Sequence, residues 1–483
     1  MSKLRINRTE VKIEPDASRV LIRPFIPSPE RVVRILARVA AQPDADVKEH
    51  LDKILADFSN RHIEVENTFL RRYEVIKHLQ FIDLEPSYQR KLLIGSYFTS
   101  EYSLESAALF NPSMVPHPDQ TNLPPGSTRF VMSLRAVGEG HISSVAFRSG
   151  TIDRDNDLHI DKPTRFVETP NPIMNKEFDK KTLAQKFMDL GFNNEYSDKV
   201  FGLLASVFTF QELQAIVKEL HNKEPALSFA HHGTKDNLFW IACANYDIQF
   251  EPDIPIGGRA LFPYSPVEEH GIEDARFVKF VDDDGTVLYF ATATAWDGKT
   301  ILSQLIETSD FLTFKVRTLN GESVKNKGMA LFPRKIDGQY AMISRLDNEN
   351  IYLMFSNHVQ FWREAQLIVK PAYPWEYYQM GNCGSPIETD EGWLLITHGV
   401  GAMRRYAIGA VLLDLEDPAR VIGRTKEPFL VPNENEREGY VPNVVYSCGS
   451  MVHNGQLVLP YAMADYASRV ALVDLTELLS SMR

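Results

Sequence analysis

Cysteine is scarce. Only Cys243, Cys383 and Cys448 occur in 483 residues, and no two have CxxC spacing. A disulfide framework or a cysteine-rich metal site is therefore not expected. No apolar run reaches the roughly 18 residues that would suggest a membrane-spanning helix. The opening MSKLRINRTEVKIEPDASRV does not read as a secretory signal, so a cytoplasmic protein is expected. Positive charge is in deficit: 52 Lys and Arg against 64 Asp and Glu leave a formal net charge of −12. That balance argues against non-specific binding to nucleic acid or anionic membranes, although a local basic cluster can still hold a small anion. There is no P-loop and no dinucleotide-binding fingerprint. His231 and His232 are adjacent instead of four apart, His221 adds no familiar ligand spacing, and Asp282–Asp284 reads as a hairpin turn more readily than as a calcium loop. Neither a metal nor an organic cofactor is expected.

What is present is an ordinary globular mixture, 44% hydrophobic and 24% charged. Its length suits one large domain with additions, or two to three average ones. After about 25 residues of extended character, Ser28 and Pro29 precede the apolar spacing Val32, Ile35, Leu36, Val39, which predicts a capped helix. Further helical periodicity runs through Val47, Leu51, Ile54, Leu55, Phe58 and then Phe69, Tyr73, Ile76, Leu79. Residues 1–104 therefore read as a largely helical N-terminal extension suited to packing or oligomerisation. From residue 105 short strands broken by glycines take over. A helical insertion is expected near 179–222, where Thr209 and Glu212 have capping-box spacing.

The second half carries a recurrence. DDDGTVLYFATATAW, IDGQYAMISRL, DEGWLLITHGV and HNGQLVLPYAMA each place a turn glycine before an apolar strand. Gly285, Gly338, Gly392 and Gly455 are separated by 53, 54 and 63 residues. Asp-Gly and Asn-Gly favour tight hairpins, and a unit of this size fits one four-stranded propeller blade. GSTRFVMSLRA and the 224–250 region are expected to supply earlier blades. The same punctuation also suits sandwiches and other all-β folds.

The segment GIEDARFVKF (271–280) resembles the signature of glycoside hydrolase family 130, the β-mannoside phosphorylases and related β-mannosidases. NKGMALFPRKIDGQYAMISR (326–345), GNCGSPIETDEGWLLITHGV (381–400), YAIGAVLLDLEDPARVIGR (406–424) and EREGYVPNVVYSCG (436–449) resemble its later blocks in order, and NPSMVPHPD (111–119) an early active-site loop. The resemblance implies an all-β catalytic core, a five-bladed β-propeller over 105–483, carrying the helical extension and insertion. It implies an inverting phosphorylase that converts a short β-manno-oligosaccharide, such as a β-1,2-linked one, and inorganic phosphate into α-mannose 1-phosphate and a shortened acceptor. Phosphate would be the co-substrate.

By the same resemblance Asp274 is the proton donor, acting on the leaving oxygen through the 3-hydroxyl of the mannosyl unit while phosphate attacks C1 from the opposite face. Such an acid needs a raised pKa, from burial or neighbouring charge. Lys327 and Arg345 align with basic phosphate contacts. Asn111 and Ser113 are further phosphate or sugar contacts. Gln379 stands where many phosphorylases carry a third basic residue, a loss for which Arg135, His141 or Arg404 could compensate. Tyr246, Asp247, Trp296, Asp297, His398, Tyr440 and Asp465 are sugar-contact candidates. A β-mannosidase using water is the alternative, with Glu388, Glu438 or Glu269 as its base. A non-catalytic glycan-binding propeller is a third reading.

Overall fold

The computed structural model describes residues 4–79, 85–173 and 176–482. The expected 1–104 and 105–483 sections therefore include a few residues outside the description. Most of the chain is organised as five antiparallel strand units. The first comprises Ala108–Pro116, Thr128–Val137, Ser143–Ile152 and Leu158–Ile160. The second comprises Gly271–Val281, Val287–Trp296, Ile301–Thr308 and Thr313–Thr318, with Tyr246–Gln249 added on its outer edge. The third runs Ala330–Leu331, Tyr340–Ser344, Ile351–Ser356, Gln366–Val369. In the fourth, Gln379–Asn382 and Ile387–Thr389 pair with Gly392–Val400, followed by Tyr406–Leu413 and Val421–Arg424. In the fifth, Val445–Tyr446 and Met451–His453 pair with Gln456–Met463, then Ala467–Asp474. Its last strand is Ile6–Ile13, from the other end of the chain.

The recurrent glycines sit where the recurrence placed them. Gly285, Gly338, Gly392 and Gly455 all have positive φ, from 72° to 140°, between the first and second strands of units two to five. Asp337 and Asn454 share that left-handed backbone, so Asp337-Gly338 and Asn454-Gly455 have positive φ at both central turn residues.

Middle strands such as Gly392–Val400 are buried along their whole length, which is why they read as continuous apolar runs instead of alternating ones. The cores lie between units. Val131, Phe147, Phe277 and Ala291 join the first to the second. Val278, Phe290, Met342 and Met354 join the second to the third. Ile343, Leu353, Trp393 and Val411 continue the series, as do Leu394, Ala410, Leu457 and Ala471. Met132, Leu134, Val458 and Val470 then join the fifth unit back to the first. A cavity of about 440 Å³ is lined by Val115, Phe277, Pro333, Ser385 and Gly449, all on or just after the first strands of the five units.

The N-terminal section holds the helices Pro29–Ala40, Asp44–Phe58, Val65–Ile76 and Tyr88–Tyr97. Val32, Leu36, Val39, Val47, Tyr73 and Ile76 form its core, as the periodicity predicts. Ser28 does occupy the cap position with Pro29 beside it, but its side chain makes no capping hydrogen bond to the helix backbone. Val20–Pro24 pairs with Thr99–Ser103. Buried Glu105 ties this section to the first unit by ion pairs with Arg19 at 3.0 Å and Arg148 at 2.6 Å.

The insertion is longer than expected. Helices Lys180–Asp189, Glu195–Leu203 and Phe210–Lys223 are followed by Pro225–Ala230 and His232–Cys243. Region 224–250 therefore does not supply a blade. Leu238, Ile241 and Ala242 give its last helix an apolar face that packs on Leu213, Val217 and Leu220. Thr209 and Glu212 form the reciprocal capping box that their spacing predicts. Among the described residues, no helix is long and apolar enough to cross a membrane.

Candidate active site

The first strands of units one and two break register at corresponding places. The shifts fall between Phe110 and Ser113 and between Glu273 and Arg276. Asn111 and Asp274 sit in these bulges with φ of 49° and 52°. Left-handed backbone at a non-glycine residue costs on the order of 1 kcal/mol or more and persists where surrounding structure enforces it, although Asn and Asp tolerate it best. Here the two residues hold each other: Asn111 Nδ2 donates to Asp274 Oδ1 at 2.7 Å. A third residue with left-handed backbone, the carboxylate Asp465 (φ 50°), lies in the turn after Gln456–Met463.

A ring of charge surrounds Asp274. Arg135 reaches both acids of the IED segment, with Nη2 2.8 Å from Glu273 and Nη1 3.6 Å from Asp274. Lys327 Nζ donates to the other Glu273 oxygen at 3.2 Å. Arg276 donates to the Asp274 carbonyl at 3.1 Å and to the Tyr446 hydroxyl at 2.8 Å. Arg345 is 7% exposed and donates through Nη1 to His398 Nε2 at 3.0 Å. Its Nε has no hydrogen-bond partner, and it enters no ion pair among the described residues. The His398 ring packs edge-on against Tyr446, 4.8 Å between centroids. Two glycines leave room for this arrangement. A Cβ on Gly328 would lie 3.6 Å from Arg345 Nε, and one on Gly381 would lie 2.7 Å from Arg345 Cδ and 2.6 Å from His398 Cε1.

The electrostatics differ from expectation at the proton donor. Burial pushes the Asp274 carboxyl up, but Arg135, Arg276 and Lys327, with the Asn111 hydrogen bond, together hold it below the ordinary aspartate value. The expected raised pKa is therefore absent from this arrangement, because three cations outweigh desolvation. Asp465 goes the other way. Burial and the nearby Asp274 charge push it up to about 6, against the pull of Arg135, Arg404 and Lys327. His398 is driven well below the usual histidine range by burial and by Arg345 and Arg276. It is thus a neutral imidazole whose Nε2 can accept from Arg345. Asp274 is thus held as a carboxylate among Arg135, Arg276 and Lys327, and Arg345 joins this cluster through His398, Tyr446 and Arg276.

Residues 259–483 match the sequence profile of glycoside hydrolase family 130, described as beta-1,4-mannooligosaccharide phosphorylase. A beta-1,2-mannobiose phosphorylase of Thermoanaerobacter sp. (strain X514) is 34% identical over 223 residues, 43% of this chain and 68% of that protein. The chain belongs to glycoside hydrolase family 130. A 1,2-beta-oligomannan phosphorylase of the same strain is 43% identical over 155 residues, 32% of this chain; the match spans about half, 52%, of that relative's length. The solved beta-1,2-mannobiose phosphorylase from Listeria innocua, in complex with beta-1,2-mannobiose, superposes with a TM-score of 0.45 at 20% identity, covering 79% of this chain and 93% of that one. The profile match contains Asp274, Lys327, Arg345, His398 and Asp465, whereas Asn111 and Arg135 lie before it.

The family residues read from sequence separate into those gathered at Asp274 and those placed elsewhere. Asn111, Lys327, Arg345, His398 and Asp465 are gathered. Gln379 stands at the start of its strand, its amide 3.4 Å from the Tyr406 hydroxyl. Trp296 pairs with Gly271 at the same end of unit two as Asp274, and Asp297 is occupied in accepting backbone N–H bonds from Lys299 and Thr300. Tyr440 is 70% exposed, with its ring 6.1 Å from His141.

Ser113 is not a free contact: it is fully buried, and its hydroxyl accepts from the Phe277 N–H at 3.0 Å. Tyr246 and Asp247 are on an outer strand, four strands from Asp274, or about 19 Å at ordinary strand spacing. Tyr246 donates to buried Glu268 at 2.8 Å and Asp247 pairs with Arg317 at 2.5 Å. Glu388 is tied by two bonds to Arg334 at the far ends of the first strands. Glu438 and Glu269 are exposed, without a hydrogen bond to any of these groups among the described residues.

The reading from sequence assigned no role to Arg276, Glu273 or Tyr446, and named Arg135 only as a substitute. Arg276 and Glu273 flank Asp274 in GIEDARF, and their charge beside a candidate acid was the available signal. Tyr446 carries no such signal in VVYSCG.

Proposed function

We propose that this chain is an inverting β-mannoside phosphorylase, acting on β-1,2-linked manno-oligosaccharides, built on a closed five-bladed propeller. The cyclic series of cores and the return of Ile6–Ile13 to the fifth unit support closure. The catalytic unit would be 105–483 plus that strand, with the helices around 29–97 and 180–243 as additions. The names of the two Thermoanaerobacter relatives support the linkage.

The observation that carries the reading is Arg345, a buried guanidinium with a neutral histidine as its partner and no ion pair among the described residues. A buried cation of this kind is costly unless an anion completes it. Phosphate placed between Arg345 and Lys327 supplies that anion. It also offsets the Lys327 field that helps keep Asp274 ionised, so binding the co-substrate favours protonation of the acid. Asp274 then gives its proton to the glycosidic oxygen, through the 3-hydroxyl of the mannosyl unit as in the family. A phosphate oxygen forms the bond to C1 as the C1–oxygen bond breaks. The products are α-mannose 1-phosphate and a shortened acceptor.

Hydrolysis is the second reading, and one observation favours it. Asp465 is a second carboxyl within the field of Asp274 and is pushed up to about 6. The water-activating base would then be Asp465, because Glu388 is held by Arg334 and Glu438 and Glu269 are exposed, without a hydrogen bond to the groups around Asp274 among the described residues. Incubating β-1,2- and β-1,4-mannobiose with and without inorganic phosphate tests the choice. Phosphate-dependent mannose 1-phosphate is the expected product; free mannose released at the same rate without phosphate rejects phosphorolysis.

A further inference from the structure

A cavity of about 460 Å³ lies where the inserted helices meet the outer edge of the second unit. Lys176, Phe178, Gln211, Gln214, Asp247 and Tyr264 are among its lining. Lys176 Nζ is buried, has no hydrogen-bond partner among the described residues, and sits 4.9 Å from the centre of the Phe178 ring. The one carboxylate in the lining is committed elsewhere, since Asp247 pairs with Arg317 at 2.5 Å. Arg317 in turn donates to the Tyr246 carbonyl at 3.0 Å. Burial and the Arg317 charge push the Lys176 amine down to about 6, which Asp247 opposes only in part. The amine is therefore largely neutral at pH 7 in this arrangement and regains its proton when an anion stands beside it.

We propose that this cavity is a second ligand site, for a small anionic hexose whose phosphate or carboxylate faces Lys176. The size falls within the usual range for small-molecule pockets. Tyr264, which is exposed, offers an aromatic face to a sugar ring, and the amides of Gln211 and Gln214, on the helix Phe210–Lys223, offer hydrogen bonds to hydroxyls. The insertion supplies Gln211 and Gln214, and the strand Tyr246–Gln249 supplies Asp247. Occupancy would brace the insertion against the sheet. The site stands or falls independently of the phosphorylase reading, because none of its residues touches Asp274.

Isothermal titration of the full chain with mannose 1-phosphate, glucuronate, inorganic phosphate and mannose tests the proposal. The Arg345→Met variant is used so that the basic cluster near Asp274 does not contribute. Saturable binding of at least one anionic hexose is expected, with mannose at least 10-fold weaker. Preference for mannose 1-phosphate or for glucuronate identifies the anion as phosphate or carboxylate. Adding Lys176→Met should weaken binding at least 10-fold, and Lys176→Arg should retain most of it. Gln214→Leu, at an exposed helical position, should weaken it several-fold and serves if the Lys176 variant does not fold. Reductive methylation mapped by mass spectrometry should find Lys176 protected by the bound hexose. The proposal is overturned if no anionic hexose binds the Arg345→Met protein at millimolar concentration. It is equally overturned if binding occurs but neither Lys176→Met nor Gln214→Leu changes it.

Discussion

Replacing Arg345 by Met separates an anion-binding guanidinium from a structural one. Among the described residues the side chain has one hydrogen-bond partner, His398, and no ion-pair partner. Removing it deletes one hydrogen bond, a net loss of about 1 kcal/mol. It also relieves the desolvation of a buried cation, which in proteins amounts to several kcal/mol. Arg345→Met should therefore leave the melting temperature unchanged or raise it, opposite to the usual result of deleting a buried charge. Phosphate should show the complementary effect. Each charge-assisted bond to the anion contributes about 1.5–3 kcal/mol, so its loss should raise the phosphate KM by roughly 10- to 150-fold. In wild type, phosphate at 100 times its Kd should stabilise the fold by about 2.7 kcal/mol, and the variant at the same concentration should gain much less. The assays are a phosphate titration of mannose 1-phosphate formation and a pair of melting curves with and without phosphate. An unchanged phosphate KM, or a variant that melts far below wild type yet is stabilised equally by phosphate, would mean that Arg345 is a structural cation and not an anion contact.

Asp465→Asn tests the second carboxyl. Its folded pKa, about 6, exceeds the ordinary aspartate value, so the folded state binds the proton more tightly than the unfolded state. This group's favourable contribution is complete below the ordinary value and is lost as pH rises through 6. Two units correspond to about 3 kcal/mol, an upper figure, so the variant should melt higher than wild type at pH 7.5 and no higher at pH 4. A gain independent of pH would contradict the assignment. Gly381→Ala places a Cβ 2.7 Å from Arg345 Cδ; displacement of the guanidinium should raise the phosphate KM on the order of 10- to 100-fold, read by the same titration. Arg8→Met strips a 2.9 Å partner from the buried Glu436 carboxylate. It should cost about 2–3 kcal/mol in urea unfolding while leaving the phosphate KM alone.

The fold was legible where local chemistry repeats. Gly285, Gly338, Gly392 and Gly455 have to turn the chain, so their spacing exposed four hairpins. The helices Pro29–Ala40 and Phe210–Lys223 showed their apolar stripes and start signals. The helix His232–Cys243 was obscured because HHGTKDNLFWIAC mixes polar and aromatic residues with little helical contrast. The site was legible only in part. Asp274, Lys327 and Arg345 lie in blocks shared with the family. The direction of the Asp274 pKa shift was not legible, because it depends on Arg135, 139 positions earlier, reaching across from another unit. Tyr246 and Asp247 were misplaced for a related reason: strand residues look alike in sequence whether their strand is the first or the last of its unit.

The strand Ile6–Ile13 also sets a timetable. Thr9 hydrogen-bonds a residue 461 positions later. At ordinary synthesis rates of about 5–20 residues per second, the first strand waits roughly 25–90 s on the ribosome before its partner exists. Until then the strand Ile6–Ile13 itself stands without its partner Ala467–Asp474, and an unpaired strand invites association with other nascent chains. The N-terminal helices, whose contacts are local, can fold within that interval. They would shorten the search by holding the waiting strand close to the first unit through Arg19, Glu105 and Arg148.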